Sequence, residues 1–320
     1  GIIFVVIMRL FGIIISGAAI RLWRKSSRGH QRDRYRAVDR ANPRGKALPE
    51  SAFAWLPVTS LPPSVLSLGQ GVEMAGNAAL VISQSGASDD LVLSAKGAAA
   101  QVMAITNQSG SNLQTAAHLH LPINAGSGLA VPATKTVIGS VAAGMALLGT
   151  LSPDYATRAA HAIATLRGID PTHPRAAKLQ AALLRARHIY EIGRDTGYGA
   201  AQEVALKLNE CCALHAELYS SSELLHGPMQ LATNPLMVLI LDSGSAHIQD
   251  SLDQAEARFR KIGCDVQRIS PADIGAQGMT PATAAGLLLA MMYPIILNMA
   301  LALGMAPDAP ETLSKVTQTT

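Results

Sequence analysis

The sequence predicts an α/β fold, two doubly wound units of parallel sheet flanked by helices, and three observations carry that prediction. The runs AALVIS (78–83) and PLMVLILD (235–242) are continuously apolar and of strand length, as parallel strands covered on both faces are. Around each, segments of strand length alternate with loops and helical stretches, the order that winds a parallel sheet. With 320 residues, 49% hydrophobic and 15% charged, the chain is long enough for two well-buried domains.

The first 55 residues do not follow that pattern. GIIFVVIMRLFGIIISGAAIRLW is apolar for 23 residues, broken only by Arg9 and Arg21, and a basic run follows. That is a transmembrane or signal-anchor candidate with its basic flank inside. A shifted reading frame over residues 1–55 is the competing explanation, because residues 24–55 show neither helical nor strand periodicity. Residues 21–46 carry ten Lys or Arg against Asp33 and Asp39. That segment is therefore +8 and Arg9 adds one, so a chain of +4 overall leaves the remainder at −5. The body is mildly acidic, and with aromatics at 4% it offers no nucleic-acid surface. A membrane is a partner only if the N-terminal segment is genuine.

From residue 57 the elements are regular. PVTSL reads as a short strand, AALVIS as the next, and DDLVLSAKGAAAQ (89–101) as an amphipathic helix. VMAITN and HLHLPI are further strands, and AGSGLAVPATK leads into an apolar helix from Val137 to Leu148. Residues 152–186 are helical linkage. HIYEIG (188–193) opens the second unit and leads into a long helix through Glu203, Lys207 and Glu210. PLMVLILD is a buried strand, Ala255–Ile262 a helix stopped by Gly263, CDVQRIS a strand, and Ala284–Leu303 a very apolar core or dimer helix. The expected division is 1–55, then 56–175, then 176–320.

Two stretches carry chemistry. Ser83-Gln84-Ser85-Gly86-Ala87-Ser88 lies between a buried strand and a helix, where backbone N–H groups, the helix dipole and three hydroxyls converge. It is either a phosphate cradle without a lysine or an ordinary serine-rich helix cap. Glu203, Lys207 and Glu210 fall at i, i+4 and i+7 on one helix face, and His226 follows on a Gly-Pro loop. A cation between two carboxylates with a nearby imidazole is a proton-transfer kit; a solvated charged face is the plain alternative. The cysteines Cys211, Cys212 and Cys264 are an odd set with no metal spacing, which fits a reducing cytoplasmic compartment and no metal.

The string E-x-A-L-K-L-x-E from Glu203, then H-A-E-x-Y from His215, then E-L-x-H-G-P from Glu223 resembles the sugar isomerase (SIS) family. The likeness is to the isomerase half of glutamine–fructose-6-phosphate aminotransferase and to glucosamine-6-phosphate deaminases built from two SIS domains. It runs from about Leu56 to the C terminus. It implies phosphate binding by Ser83, Gln84, Ser85 and Ser88, and contact with the sugar by Val131, in V-P-A-T-K, and by Glu203. Glu210 would move a proton between C1 and C2 with Lys207 beside it. His226, from the partner subunit of a homodimer with a shared active site, would open the sugar ring. Lys315 would form an imine with the ketose. No cofactor is implied. The family's glutamate three residues before that valine is Gly128 here, and its first-strand serine loop has only Ser26 and Ser27 as candidates. The implied activity is isomerisation of an amino-sugar phosphate with loss of ammonia; a non-catalytic sugar-phosphate sensor or an inactive fragment is the alternative.

Overall fold

A computed structural model describes residues 4–7, 58–68, 74, 76–98 and 100–315. Its first sheet holds β1 (Phe4–Ile7), β2 (Val58–Leu61), β3 (Ala78–Ser83), β4 (Gln101–Thr106) and β5 (Leu119–Pro122), in the order β2-β1-β3-β4-β5. The second holds β6 (His188–Gly193), β7 (His215–Ser220), β8 (Met237–Leu241) and β9 (Asp265–Ile269), in the order β7-β6-β8-β9. Every neighbouring pair is parallel. The predicted α/β class with helix-flanked parallel sheets is therefore what the chain adopts.

Parallel strands need covering on both faces, and the helices supply it. Ala79–Ile82 of β3 and all of β8 are buried, as their unbroken apolar runs require. On the outer side of the first sheet lie α1 (Ser64–Ser67), α2 (Asp89–Gly97) and α3 (Asn112–Ala116), with Leu91, Val92 and Leu113 packed on Val81 and Ala104. Between the sheets lies one continuous core formed by α4 (Lys135–Leu151), α5 (Pro153–Leu166), α6 (Ala176–Arg185), α7 (Thr196–Cys212) and α9 (Pro281–Ala302). Outside the second sheet, α8 (Gln249–Ile262) buries Leu252 and Phe259 against Val238 and Val266. Beyond β8, Asp242 accepts from the Gly244 N–H at 2.8 Å, from Gln249 at 2.9 Å and from Arg268 at 2.8 Å.

Several elements depart from the expectation. Phe4–Ile7, expected at the head of a membrane anchor, is a strand paired with β2 on one side and β3 on the other. The first sheet thus draws on the segment set apart as 1–55; the rest of the anchor candidate, with Ser26 and Ser27, lies outside the described residues. HAELYS forms β7, which its mostly polar letters hid; it is an edge strand, and of its side chains only Ala216 is fully buried. The linkage over 152–186 is two helices, each with a narrow apolar face. The helix expected from Ala255 starts at Gln249, since its first turn is polar and faces outward. The closing helix α9 is long and apolar enough to cross a membrane, yet 67% of its most apolar window is buried in the inter-sheet core. It is a core helix, as its place in an α/β chain suggests.

Candidate active site

At the end of β3 the backbone turns through Ser83–Ser88 into α2. The turn is built from its own hydroxyls: Ser83 Oγ accepts from the Gly86 N–H at 3.1 Å, and Ser85 Oγ from the Ala87 N–H at 3.2 Å. Gly86 sits at φ +62°, and a Cβ there would come 2.2 Å from Ser111 Oγ, so only glycine fits. Ser88 sits where the two readings of this stretch differ. It occupies the N-cap position, yet its hydroxyl makes no capping bond, is buried and has no partner among the described residues. A helix cap would have used that oxygen.

The catalytic-helix candidates come together as their spacing predicts. Lys207 Nζ is 3.3 Å from Glu203 Oε1 and 2.5 Å from Glu210 Oε2. Glu203 and Lys207 are 1% and 2% exposed, and Glu210 is 21% exposed, so only Glu210 reaches open space. Glu203 was expected beside the sugar; its side chain is buried, with Oε1 facing Lys207 and accepting from the Tyr293 hydroxyl at 3.0 Å. Burial pushes the Glu203 carboxyl up to about 7, against the pull of Lys207 and Tyr293. Burial would also depress the Lys207 ammonium, but the two carboxylates more than offset it and its pKa stands above the ordinary lysine value. The charged-face alternative fails, since a solvated face does not bury its lysine.

The C-terminal tail borders the first of these regions. The Val131 N–H donates to the Asp308 carbonyl at 2.8 Å, which lays the tail along the 128–131 loop. Lys315 then donates to the Ala130 carbonyl. A Cβ on Gly128 would stand 3.6 Å from Lys315 Nζ and 4.0 Å from Gln84 Nε2, so the tail amine and Gln84 both border this glycine. Burial lowers the Lys315 pKa, which favours the neutral amine.

His226 stands apart. It is exposed at the end of a short 3-10 turn (Glu223–Leu225), its N–H donates to the Glu223 carbonyl at 3.1 Å, and no described contact joins it to Glu210. Two polar groups went unread in the sequence. Tyr293 is the lone aromatic in the apolar run of α9, and its place before Pro294 was the available signal. Glu191 interrupts the apolar strand β6; it is 0% exposed and neither carboxyl oxygen has a partner.

Residues 182–266 match the SIS domain family. The glutamine–fructose-6-phosphate aminotransferase of Mycobacterium tuberculosis is 35% identical over 191 residues, 54% of this chain and 30% of that protein. Its Thermotoga maritima counterpart is 30% identical over 264 residues, 75% of this chain and 43% of that protein. The chain thus spans less than half the length of these curated relatives. Among solved structures, a putative phosphosugar isomerase from Silicibacter pomeroyi superposes with a TM-score of 0.74 at 24% identity, over 96% of this chain and 88% of that one. The glucosamine-6-phosphate deaminase of Thermotoga maritima superposes with a TM-score of 0.69 at 16% identity, over 100% of this chain and 91% of that one. These likenesses establish the fold.

Proposed function

This chain belongs to the SIS-domain family, and on that premise we propose that it isomerises an amino-sugar phosphate, taking glucosamine 6-phosphate to fructose 6-phosphate and ammonia. The observation that carries the finer reading is the Lys315 amine, which borders Gly128 together with Gln84: an amine beside the sugar can take over an imine at C2 by exchange, a step that isomerisation alone does not use.

In this reading Ser83, Gln84, Ser85 and Ser88 hold the phosphate, and Val131 lines the sugar. His226, presented on an exposed loop, comes from the partner of a homodimer and moves a proton between the ring oxygen and the C1 hydroxyl, opening the ring. Glu210, held by Lys207 at 2.5 Å, takes the proton from C2 and returns it to C1, which leaves an imine at C2. Lys315 attacks that carbon, expels ammonia and forms its own imine, and water then releases the ketose. The three cysteines are free thiols, in keeping with a reducing cytoplasm.

Ser88→Ala tests the cradle. The hydroxyl caps nothing, so thermal stability should hold, while affinity for fructose 6-phosphate should fall about ten- to hundredfold, the worth of one hydrogen bond to a charged oxygen. Calorimetry reads both. Equal binding of glucosamine and glucosamine 6-phosphate to the parent protein would sink the assignment. Ammonia release from glucosamine 6-phosphate, with deuterium uptake at the exchanging carbon, tests the reaction. Binding with no exchange on any sugar phosphate would favour a sensor.

A further inference from the structure

Glu203 is too buried to meet a ligand, so it acts on the site only through Lys207. What holds Glu203 comes from another element. The Tyr293 hydroxyl, on α9, donates at 3.0 Å to Glu203 Oε1, the oxygen that also faces Lys207 Nζ at 3.3 Å. Lys207 in turn donates to Glu210 Oε2 at 2.5 Å. Glu203 Oε2 has no partner among the described residues, which anchor the carboxyl through Oε1.

The packing of α9 does not call for this hydroxyl. Met291, Met292, Ile295 and Ile296 around it are buried apolar side chains, and a phenylalanine ring would fill the same space. Pro294 follows directly inside the helix and has no N–H for the Ala290 carbonyl, so the backbone is one hydrogen bond short where the tyrosine sits. A polar tip at such a point serves a polar partner, and Glu203 is that partner.

We propose that Tyr293 is a positioning residue for proton transfer at Glu210, acting through Glu203 and Lys207. The proposal rests on Glu210 being the base. One ammonium serves two carboxylates. When Glu203 carries a proton, Lys207 bonds Glu210 alone and weakens it as a base; when Glu203 is ionised, the ammonium is shared and Glu210 keeps its basicity. A hydroxyl that donates to Glu203 favours the ionised form and so the stronger base. The groups acting on Glu203 are Lys207 and Glu210 on its own helix and Tyr293 on α9. The neighbouring Cys211 thiol, which feels the same helix charges and Asp308, is pushed up to about 11 by burial and stays neutral.

Tyr293→Phe, Glu203→Gln and the double variant test this. The carbonyl band of protonated Glu203, identified as the infrared band that Glu203→Gln removes, should titrate near 7 in the parent. In Tyr293→Phe its midpoint should rise by about one pH unit, the equivalent of losing one such donor. The acid limb of kcat on glucosamine 6-phosphate should rise with it while KM changes less than about twofold. In the Glu203→Gln background Tyr293→Phe should add nothing, because its effect passes through that carboxylate. An unmoved midpoint, or losses that add, overturns the proposal. If Glu210→Gln keeps full exchange, the reading of the base fails instead; if Glu210→Gln is inactive and the Tyr293→Phe midpoint stays, only the role of Tyr293 fails.

Discussion

Glu210→Gln should abolish carbon–hydrogen exchange while leaving the protein folded. The amide matches the carboxylate in shape, glutamine is as good a helix former, and its carbonyl still accepts from Lys207. What disappears is the basic oxygen. General base catalysis contributes about 10² to 10⁴ in rate, and the variant should lose that much in kcat with little change in KM. Solvent-deuterium incorporation into glucosamine 6-phosphate measures the step directly, and thermal unfolding checks the fold. Parent-level exchange in the variant would remove Glu210 from the mechanism.

Glu191→Leu should make the protein more stable. The side chain lies on the same face of β6 as Ile189, between Leu218 of β7 and Leu239 of β8. Burial raises its pKa well above the ordinary carboxyl value, so it stays protonated in the fold. An unsatisfied buried polar group costs about 1–3 kcal/mol, and leucine removes that cost at similar volume. The pH dependence has a definite sign. Between the ordinary carboxyl pKa and the raised one the unfolded chain has lost its proton and the fold keeps it, so stability falls as pH rises. The gain from Glu191→Leu should therefore grow from acid toward neutral pH. Urea unfolding at three pH values measures it, and a gain that does not change with pH, or a loss, contradicts the account.

The regular elements were legible because buried parallel strands announce themselves: AALVIS and HIYEIG match β3 and β6 in full. The Glu203–Lys207–Glu210 face was legible for a similar local reason, since i, i+4 and i+7 on a helix fix proximity without knowledge of the fold. Long-range placement was not. Nothing in residues 128–131 reveals that Asp308 will pair with Val131 and bring Lys315 beside Gly128. Phe4–Ile7 could not be separated from the apolar run around it, because four strand residues carry too short a period to distinguish from an anchor. HAELYS hid for the opposite reason, as an edge strand whose polar letters satisfy water rather than core. The Tyr293–Glu203 bond joins positions 90 residues apart, and only tertiary packing makes it.

The four-stranded second sheet repeats the order β2-β1-β3-β4 of the first, and β8 stands in the second where β3 stands in the first. In the first copy the loop after the strand ends on an open hydroxyl. In the second, Asp242 turns its carboxylate back into the equivalent loop, where a backbone N–H, an amide and a guanidinium already hold it. That seat comes with a resident anion supplied by the chain itself. Of these two equivalent loops, the one after β3 leaves a buried hydroxyl unpaired among the described residues, so titration with a sugar phosphate should saturate at one molecule per chain.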